Sequence, residues 1–395
     1  MEGNIRNNNR HGALQSMALN MFQPFLGIFA IRLGASNTVV ALLASLPALT
    51  SAAVMIPGAF WLERQPRRKV PTALFTLASR LVLALMALIP LFSKDSRAPL
   101  LAALVGLMNL PAAIATVSWQ ALMAEIFPLA SRARIFALRN RYMSIASLIP
   151  ILGVGYLLDR VRFPLGYQIF FLVALAVSLL EIMFLLRLNE GPAERIRPTA
   201  RRSLTGIRQA VPFWRFTFVS LIFYFAWQMG WPLFTIYQVR YLGATNLWTA
   251  LFSISVTIAA VISSGWWGKQ AERRGVIPPL VLAAGGLALT PIFFVLAKTL
   301  WPVIFFNLII GVFTAGAYLL FFTALLETVP AEDRAAFIAY NNTLVNIAAF
   351  LAPLAGSLIL DAIGIKGALL VTSGARFAGA AAIGVFLARP LRQPM

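Results

Sequence analysis

Residues 59–69 read AFWLERQPRRK, and residues 268–277 read GKQAERRGVI. Each is a knot of charge in a chain that is 60% hydrophobic and only 12% charged. Glu63-Arg64 and Glu272-Arg273 stand 209 residues apart, and at that same offset Leu33-Gly34-Ala35-Ser36-Asn37 answers Leu242-Gly243-Ala244-Thr245-Asn246. Ala41-Leu42 then answers Ala250-Leu251 without a gap. At an offset of 202, Glu125, Pro128, Arg132, Asn140 and Asp159 answer Glu327, Pro330, Arg334, Asn342 and Asp361. Matching of this kind across loops is the mark of one unit used twice. The two knots are the same loop in two copies.

What separates the loops is apolar. Runs of roughly 20 residues, enough to cross a bilayer as helix, recur at about 14–31, 38–61, 70–92, 98–122, 142–158, 167–186, 216–239, 246–267, 277–297, 301–325, 337–360 and 367–388. The mean hydropathy is +0.81. No period-2 alternation is present, and the runs are too long and uniform for barrel strands, so helices are the spanning element. The expected fold is an all-α membrane protein of twelve transmembrane helices in two pseudo-symmetric six-helix bundles. Asn189–Pro212, rich in Arg and Pro, reads as a basic cytoplasmic linker between an amino-terminal bundle at 1–188 and a carboxy-terminal bundle at 213–395. The first run has no cleavage site after it and reads as an uncleaved insertion signal.

The formal net charge is +20. Of the 33 Lys and Arg, this topology puts 23 on the side of the amino terminus, eight on the other side, and Arg80 and Arg376 inside spans. That asymmetry is the positive-inside rule, so both termini are expected in the cytoplasm and nucleic acid is not an expected partner. Cysteine is absent, which removes disulfides and thiolate metal sites. The single histidine, His11, lies in the polar amino-terminal stretch and reads as solvated. No Gly-rich loop ends in Gly-Lys-Ser/Thr, and no serine has a histidine to activate it. No enzyme, metal or cofactor is therefore expected.

With these motifs in place, the whole chain resembles the major facilitator superfamily. That family's loop after helix two runs Gly, three residues, an acid, Arg, one residue, Gly, then basic residues. Gly268, Glu272, Arg273 and Gly275 follow it, while the first copy keeps Glu63, Arg64, Arg67 and Arg68 with Ala59 and Pro66 in place of the glycines. The family's acid at the cytoplasmic end of helices four and ten, with Arg seven residues on, matches Glu125/Arg132 and Glu327/Arg334. The resemblance implies that these charges gate the cytoplasmic mouth. Acids there hold Arg from a neighbouring loop, or face a helix amino end, only while that mouth is closed.

The resemblance also implies a central cavity lined by helices 1, 4, 7 and 10. Carried onto this chain, it makes Asn20, Gln23, Trp119, Gln120, Tyr224, Trp227, Gln228, Trp231 and Tyr318 the substrate-binding candidates, with Asn109, Asn307 and Thr323 beside them. Amides among aromatic faces suit a neutral or amphipathic organic solute. The expected activity is secondary or facilitative transport of a small organic solute by alternating access, with efflux of amphipathic compounds favoured. The alternatives are nutrient uptake of a sugar-like solute, or a transporter-like sensor or lipid flippase. The expected setting is the inner membrane, with lipid and a small-molecule solute as partners and the chain a monomer. Arg80 and Glu181 lie at depths that long side chains can bridge and read as an intramembrane pair. Arg376 has no acid at its depth and reads as an attractor for an anionic solute.

Overall fold

The computed structural model describes residues 1–190, 210–329 and 334–387. Most of the expected linker, at 191–209, falls outside them, as do Pro330 and the side chains of Glu63 and Arg334. The helices are α1 (Glu2–Asn20), α2 (Leu26–Arg32), α3 (Asn37–Glu63), α4 (Lys69–Leu88), α5 (Lys94–Ile126), α6 (Leu129–Arg160), α7 (Leu165–Leu186), α8 (Val211–Ile236), α9 (Asn246–Arg274), α10 (Ile277–Leu296), α11 (Leu300–Glu327) and α12 (Arg334–Leu387). Among the described residues, eleven are long and apolar enough to span a bilayer, with α1 and α2 counted as one. The last is two helices joined at Gly364, whose φ of 76° breaks the helical path. Counting that break, the described helices supply twelve crossings of a multi-pass membrane protein.

Two differences from the sequence reading have physical causes. The amino-terminal stretch is helical from Glu2, because its amides have carbonyls to meet. Asn4 Nδ2 donates to Asn189 O at 2.9 Å, Asn189 N donates back to Asn4 Oδ1 at 2.8 Å, and Asn7 Nδ2 donates to Arg187 O at 3.2 Å. Those carbonyls lie at the end of α7, where a helix leaves its last acceptors unmet. Likewise α6 begins at Leu129 rather than near 142, which takes Arg139 out of the loop and into a helix.

The chain forms two compact units, Met1–Pro198 with Ala244–Leu251, and Thr199–Gly243 with Phe252–Met395. In the first, α1 packs on α6 and α7, α4 packs on α5 and α7, and α3 packs on α5. In the second, α8 and α10 pack on α12, and α10 packs on α11. The repeat is visible in the backbone as well: Gly34 and Gly243, equivalent in sequence, both turn with positive φ, 91° and 69°. Gly275 ends α9 the same way at 75°. Ala244–Leu251 joins the first unit through Asp159. Its Oδ1 accepts from Asn246 N at 3.0 Å and Nδ2 at 2.9 Å, and its Oδ2 from Leu247 N at 2.9 Å. A carboxylate at the start of α9 meets both free amides and the positive end of the helix dipole.

Burial is inverted relative to a water-soluble bundle. On α7, Leu172, Leu179 and Leu180 are exposed while Ser178 and Glu181 are fully buried. On α4, Leu74, Leu81 and Leu85 face outward, and Thr72, Thr76, Ser79 and Arg80 face inward. An outer surface of leucine suits hydrocarbon, so association of the helices rests on close packing and internal polar contacts. Gly106 lets α5 approach Leu46 and Thr50 of α3, and Gly311 lets α11 approach the backbone of α9 at Val256.

This packing makes a testable contrast. A Cβ at Gly311 would collide with the Val256 carbonyl oxygen and stand 2.9 Å from Ala259 Cβ, whereas one at Gly285 would meet nothing within 4 Å. Gly311→Ala is expected to lower stability by about 1–3 kcal/mol in unfolding titrations in mild detergent. Gly285→Ala should be neutral or slightly stabilising. Equal effects from both would contradict the packing described.

Candidate functional site

In the first unit, a cavity of about 340 Å³ opens among α1, α4, α5 and α6, with the 3-10 turn Gln23–Phe25 at one edge. His11, Gln15 and Leu19 line it at four-residue intervals, on one face of α1, and Gln23 follows from the 3-10 turn. Thr72, Thr76, Ser79 and Arg80 line it from α4, Asn109, Thr116 and Trp119 from α5, and Arg139 from α6. Two of the binding candidates, Gln23 and Trp119, are therefore on this wall. Asn20 is not among its lining residues; its Nδ2 donates to Ser16 O of its own helix at 2.8 Å. Gln120 is exposed and also absent from the wall.

The charges of this unit meet beside the cavity. Arg80 Nε lies 3.5 Å from Glu181 Oε2, with both side chains buried, so the pair bridges α4 and α7. His11 is buried at 2% exposure rather than solvated, because α1 continues through it. Its Nε2 stands 3.6 Å from Glu181 Oε1, and its Nδ1 stands 3.4 Å from Arg139 Nη2. Arginine can only donate, so Nδ1 is the acceptor and Nε2 carries the proton toward Glu181. Arg139 Nη2 also donates to Gln15 Oε1 at 2.7 Å, and its guanidinium carbon lies 4.2 Å from the centre of the Trp119 ring. Gly12 makes room for it, since a Cβ there would stand 2.8 Å from Arg139 Nε.

Sequence reading missed Gln15 and Arg139 in this site and misplaced His11. The signal available was spacing: His11, Gln15 and Leu19 fall on one face of α1, and Arg139 follows the buried Ile135 by four residues.

In the second unit, a separate cavity of about 190 Å³ is walled by aromatic rings. Trp227, Trp231 and Tyr318 line it, together with Phe234, Phe294, Gln238, Asn307 and Arg376. Trp227 and Tyr318 approach with ring centres 5.1 Å apart, and Tyr224 stacks on Trp227 at 6.0 Å. Gln228 is half-buried and outside the lining. Asn307 lies on the wall but its Nδ2 donates to Val303 O at 2.7 Å, and Thr323 Oγ1 likewise turns back to Leu319 O at 2.9 Å.

Arg376 is almost wholly buried and is held by backbone. Nε donates to Ala226 O at 3.2 Å, Nη2 to Trp227 O at 2.7 Å, and Nη1 to Leu287 O at 2.9 Å and Thr290 Oγ1 at 2.7 Å. Leu287 is four residues before Pro291, whose missing N–H leaves that carbonyl without its helical donor. The guanidinium and the Thr290 hydroxyl, which donates to Leu287 O at 2.8 Å, supply it together. Four of the five guanidinium N–H groups are thereby engaged, so the arginine ties α8, α10 and α12 together.

The loop charges are more dispersed. Arg68 Nε stands 3.4 Å from Glu125 Oε1, which is an acid–arginine contact between the α3–α4 loop and the end of α5. Arg132 does not reach Glu125; its Nη2 donates to Ala124 O at 2.8 Å and Phe127 O at 3.0 Å and caps the helix that precedes it. Arg64, Arg67, Glu272, Arg273 and Glu327 are exposed. Gly268 is helical, and Gly275 makes the turn.

Residues 12–306 and 245–394 match the family description Major Facilitator Superfamily. The Multidrug resistance protein MdtG of Salmonella choleraesuis (strain SC-B67) is 30% identical over 159 residues, and the match spans 38% of this chain and 38% of that protein. The Multidrug resistance protein MdtG of Proteus mirabilis (strain HI4320) is 28% identical over 134 residues, 33% of each. Among solved structures, the nucleoside transporter NupG aligns with a TM-score of 0.72 at 11% identity, over 97% of this chain and 99% of that one. A bacterial homologue of the human lysosomal transporter Spinster, in an inward-facing and occupied conformation, aligns at 0.72 with 14% identity, over 99% and 98%. These likenesses are of fold.

The tie at Arg376 can be taken apart. Arg376→Met removes four hydrogen bonds of a buried guanidinium and is expected to destabilise the second unit by about 1–3 kcal/mol. Pro291→Ala returns an N–H to Leu287 O, and in the Arg376→Met background it should recover part of that loss. Unfolding titrations of the two single variants and the double variant read this directly. An additive double variant would remove the assigned role.

Proposed function

The chain belongs to the Major Facilitator Superfamily, and we propose that it carries a small organic solute across the inner membrane by alternating access. Efflux of amphipathic compounds is the favoured direction. The observation that carries this reading is the first unit's cavity of about 340 Å³, polar and aromatic, inside a bundle whose outer face is apolar. Ionisable groups inside a membrane bundle face its interior or a water-filled cavity and commonly mark a solute path. The aromatic cavity of the second unit adds flat apolar surface suited to an amphipathic body. The name of the MdtG relatives supports efflux over uptake, with the match spanning 38% of their length. The positive-inside distribution of Lys and Arg supports an orientation with both termini in the cytoplasm.

Counterflow in proteoliposomes tests the reading. Vesicles loaded with unlabelled amphipathic solutes should accumulate the same labelled solute, while a sensor would exchange nothing. Within this assay Trp119→Ala and Trp231→Ala are expected to weaken apparent affinity at least about tenfold, the cost of removing an aromatic wall from a small-molecule site. Gln120→Ala and Gln228→Ala, placed off the cavity walls, should leave it within twofold. The reverse order would contradict these cavities as the solute path. Exchange of sugars alone would replace efflux with nutrient uptake.

A further inference from the structure

The hydrogen-bond donors around the first unit's cavity are in excess. Arg80 Nε, Arg139 Nε and Trp119 Nε1 have no acceptor in the protein, and neither Glu181 oxygen has a donor at hydrogen-bond geometry. The two Glu181 oxygens answer the donors nearest them: Oε2 lies 3.5 Å from Arg80 Nε and Oε1 lies 3.6 Å from His11 Nε2. A small shift closes both. What is left over on the cavity wall is Arg139 Nε and Trp119 Nε1, both donors, and Ser79 Oγ, which can donate or accept.

Charge leaves the same remainder. Glu181 balances Arg80, and His11 is a neutral bridge with its proton on Nε2. Glu181 also acts on Arg139 from beyond ion-pair distance, so two guanidiniums share one carboxylate, and the direct contacts of Arg139 are all neutral: the Gln15 amide oxygen, His11 Nδ1, the Met143 sulfur at 3.0 Å, and the Trp119 ring. Its residue is 6% exposed, and no carboxylate among the described residues lies within ion-pair distance of it. A buried guanidinium without an anion is costly unless one arrives. The cavity wall that it shares with Trp119, Leu19 and Met108 is broad enough for a flat apolar body.

We propose that the first unit's cavity seats the negatively charged group of an organic monoanion, a carboxylate, sulfonate or phosphonate on an aromatic body, with Arg139 as the group that takes it. Arg139 keeps its charge together with the N–H of Nε and one N–H of Nη1 for the anion's oxygens, while Trp119 stacks on the guanidinium and adds an indole N–H. This deepens the carrier reading and rests on it for the claim that the anion is cargo. The binding site itself stands apart from transport.

The probes are naphthalene-2-carboxylate and its neutral counterpart naphthalene-2-carboxamide, titrated calorimetrically against the full chain in dodecyl maltoside. The carboxylate is expected to bind at least about tenfold more tightly than the carboxamide, the gain of a charge-assisted pair. In Arg139→Gln that preference should fall below about twofold, and in Arg139→Lys it should survive in part. Equal affinity for the two probes, or an undiminished preference in Arg139→Gln, overturns the proposal. Should Arg139→Gln fail to fold, displacement on the unaltered protein decides: benzenesulfonate should displace the bound carboxylate and benzenesulfonamide should not. Displacement by both alike overturns it. Binding of the carboxylate without counterflow of any solute would sink the carrier reading and leave the anion site standing. Counterflow of neutral solutes with no preference for the carboxylate would do the opposite.

Discussion

The ion pair between Arg80 and Glu181 is the contact on which the first unit depends. A charge withdrawn from water into a helix bundle has to be answered inside it, and the cost of failing is several kcal/mol per ion. Glu181 answers Arg80 across α4 and α7 and also faces His11 on α1. One carboxylate thus fixes the register of three helices. The long α1 is helical through a stretch rich in asparagine because its inner face meets this cluster and its outer end meets the carbonyls of α7.

The second unit solves the same problem without an acid. Arg376 is answered by carbonyls, one of them released by Pro291. In both units a glycine on the first helix makes the arginine's seat: Gly12 beneath Arg139 and Gly230 beneath Arg376. Local backbone choices that look unfavourable for helices therefore have a common use. Proline frees an acceptor, glycine clears a volume, and a guanidinium occupies both. Arg376 spends four of its five N–H groups in this way, whereas Arg139 spends three, one of them on a sulfur.

The division between what could and could not be read in the sequence follows from range. Length and uniform hydropathy mark the spans, and the loop repeat marks the doubling, since both are local patterns. The depth of Arg80 and Glu181 is also a local quantity, and it brought the pair within reach. The place of Arg139 was not legible, because the apolar run that defines its helix begins three residues after it. The helix itself begins at Leu129, held by contacts that hydropathy does not record. His11 was misread for the same reason. Its neighbours Asn7, Asn8 and Asn9 signal solvent when counted singly, yet Asn8 and Asn9 are buried. Gln120 and Gln228 show the converse: polarity within a span says that a residue needs a partner, and only the helix's rotation says which side that partner is on.

The measurement that bears most directly on this account is the coupling energy between Arg80 and Glu181. Unfolding free energies of Arg80→Met, Glu181→Met and the double variant, taken in bicelles, close a thermodynamic cycle. Each single change leaves a buried charge unanswered and should cost about 3–5 kcal/mol. The double variant, with both charges replaced by apolar volume, should be more stable than either single variant. If the two losses simply add, the charges do not answer one another, and the cluster is not the constraint that orders the first unit.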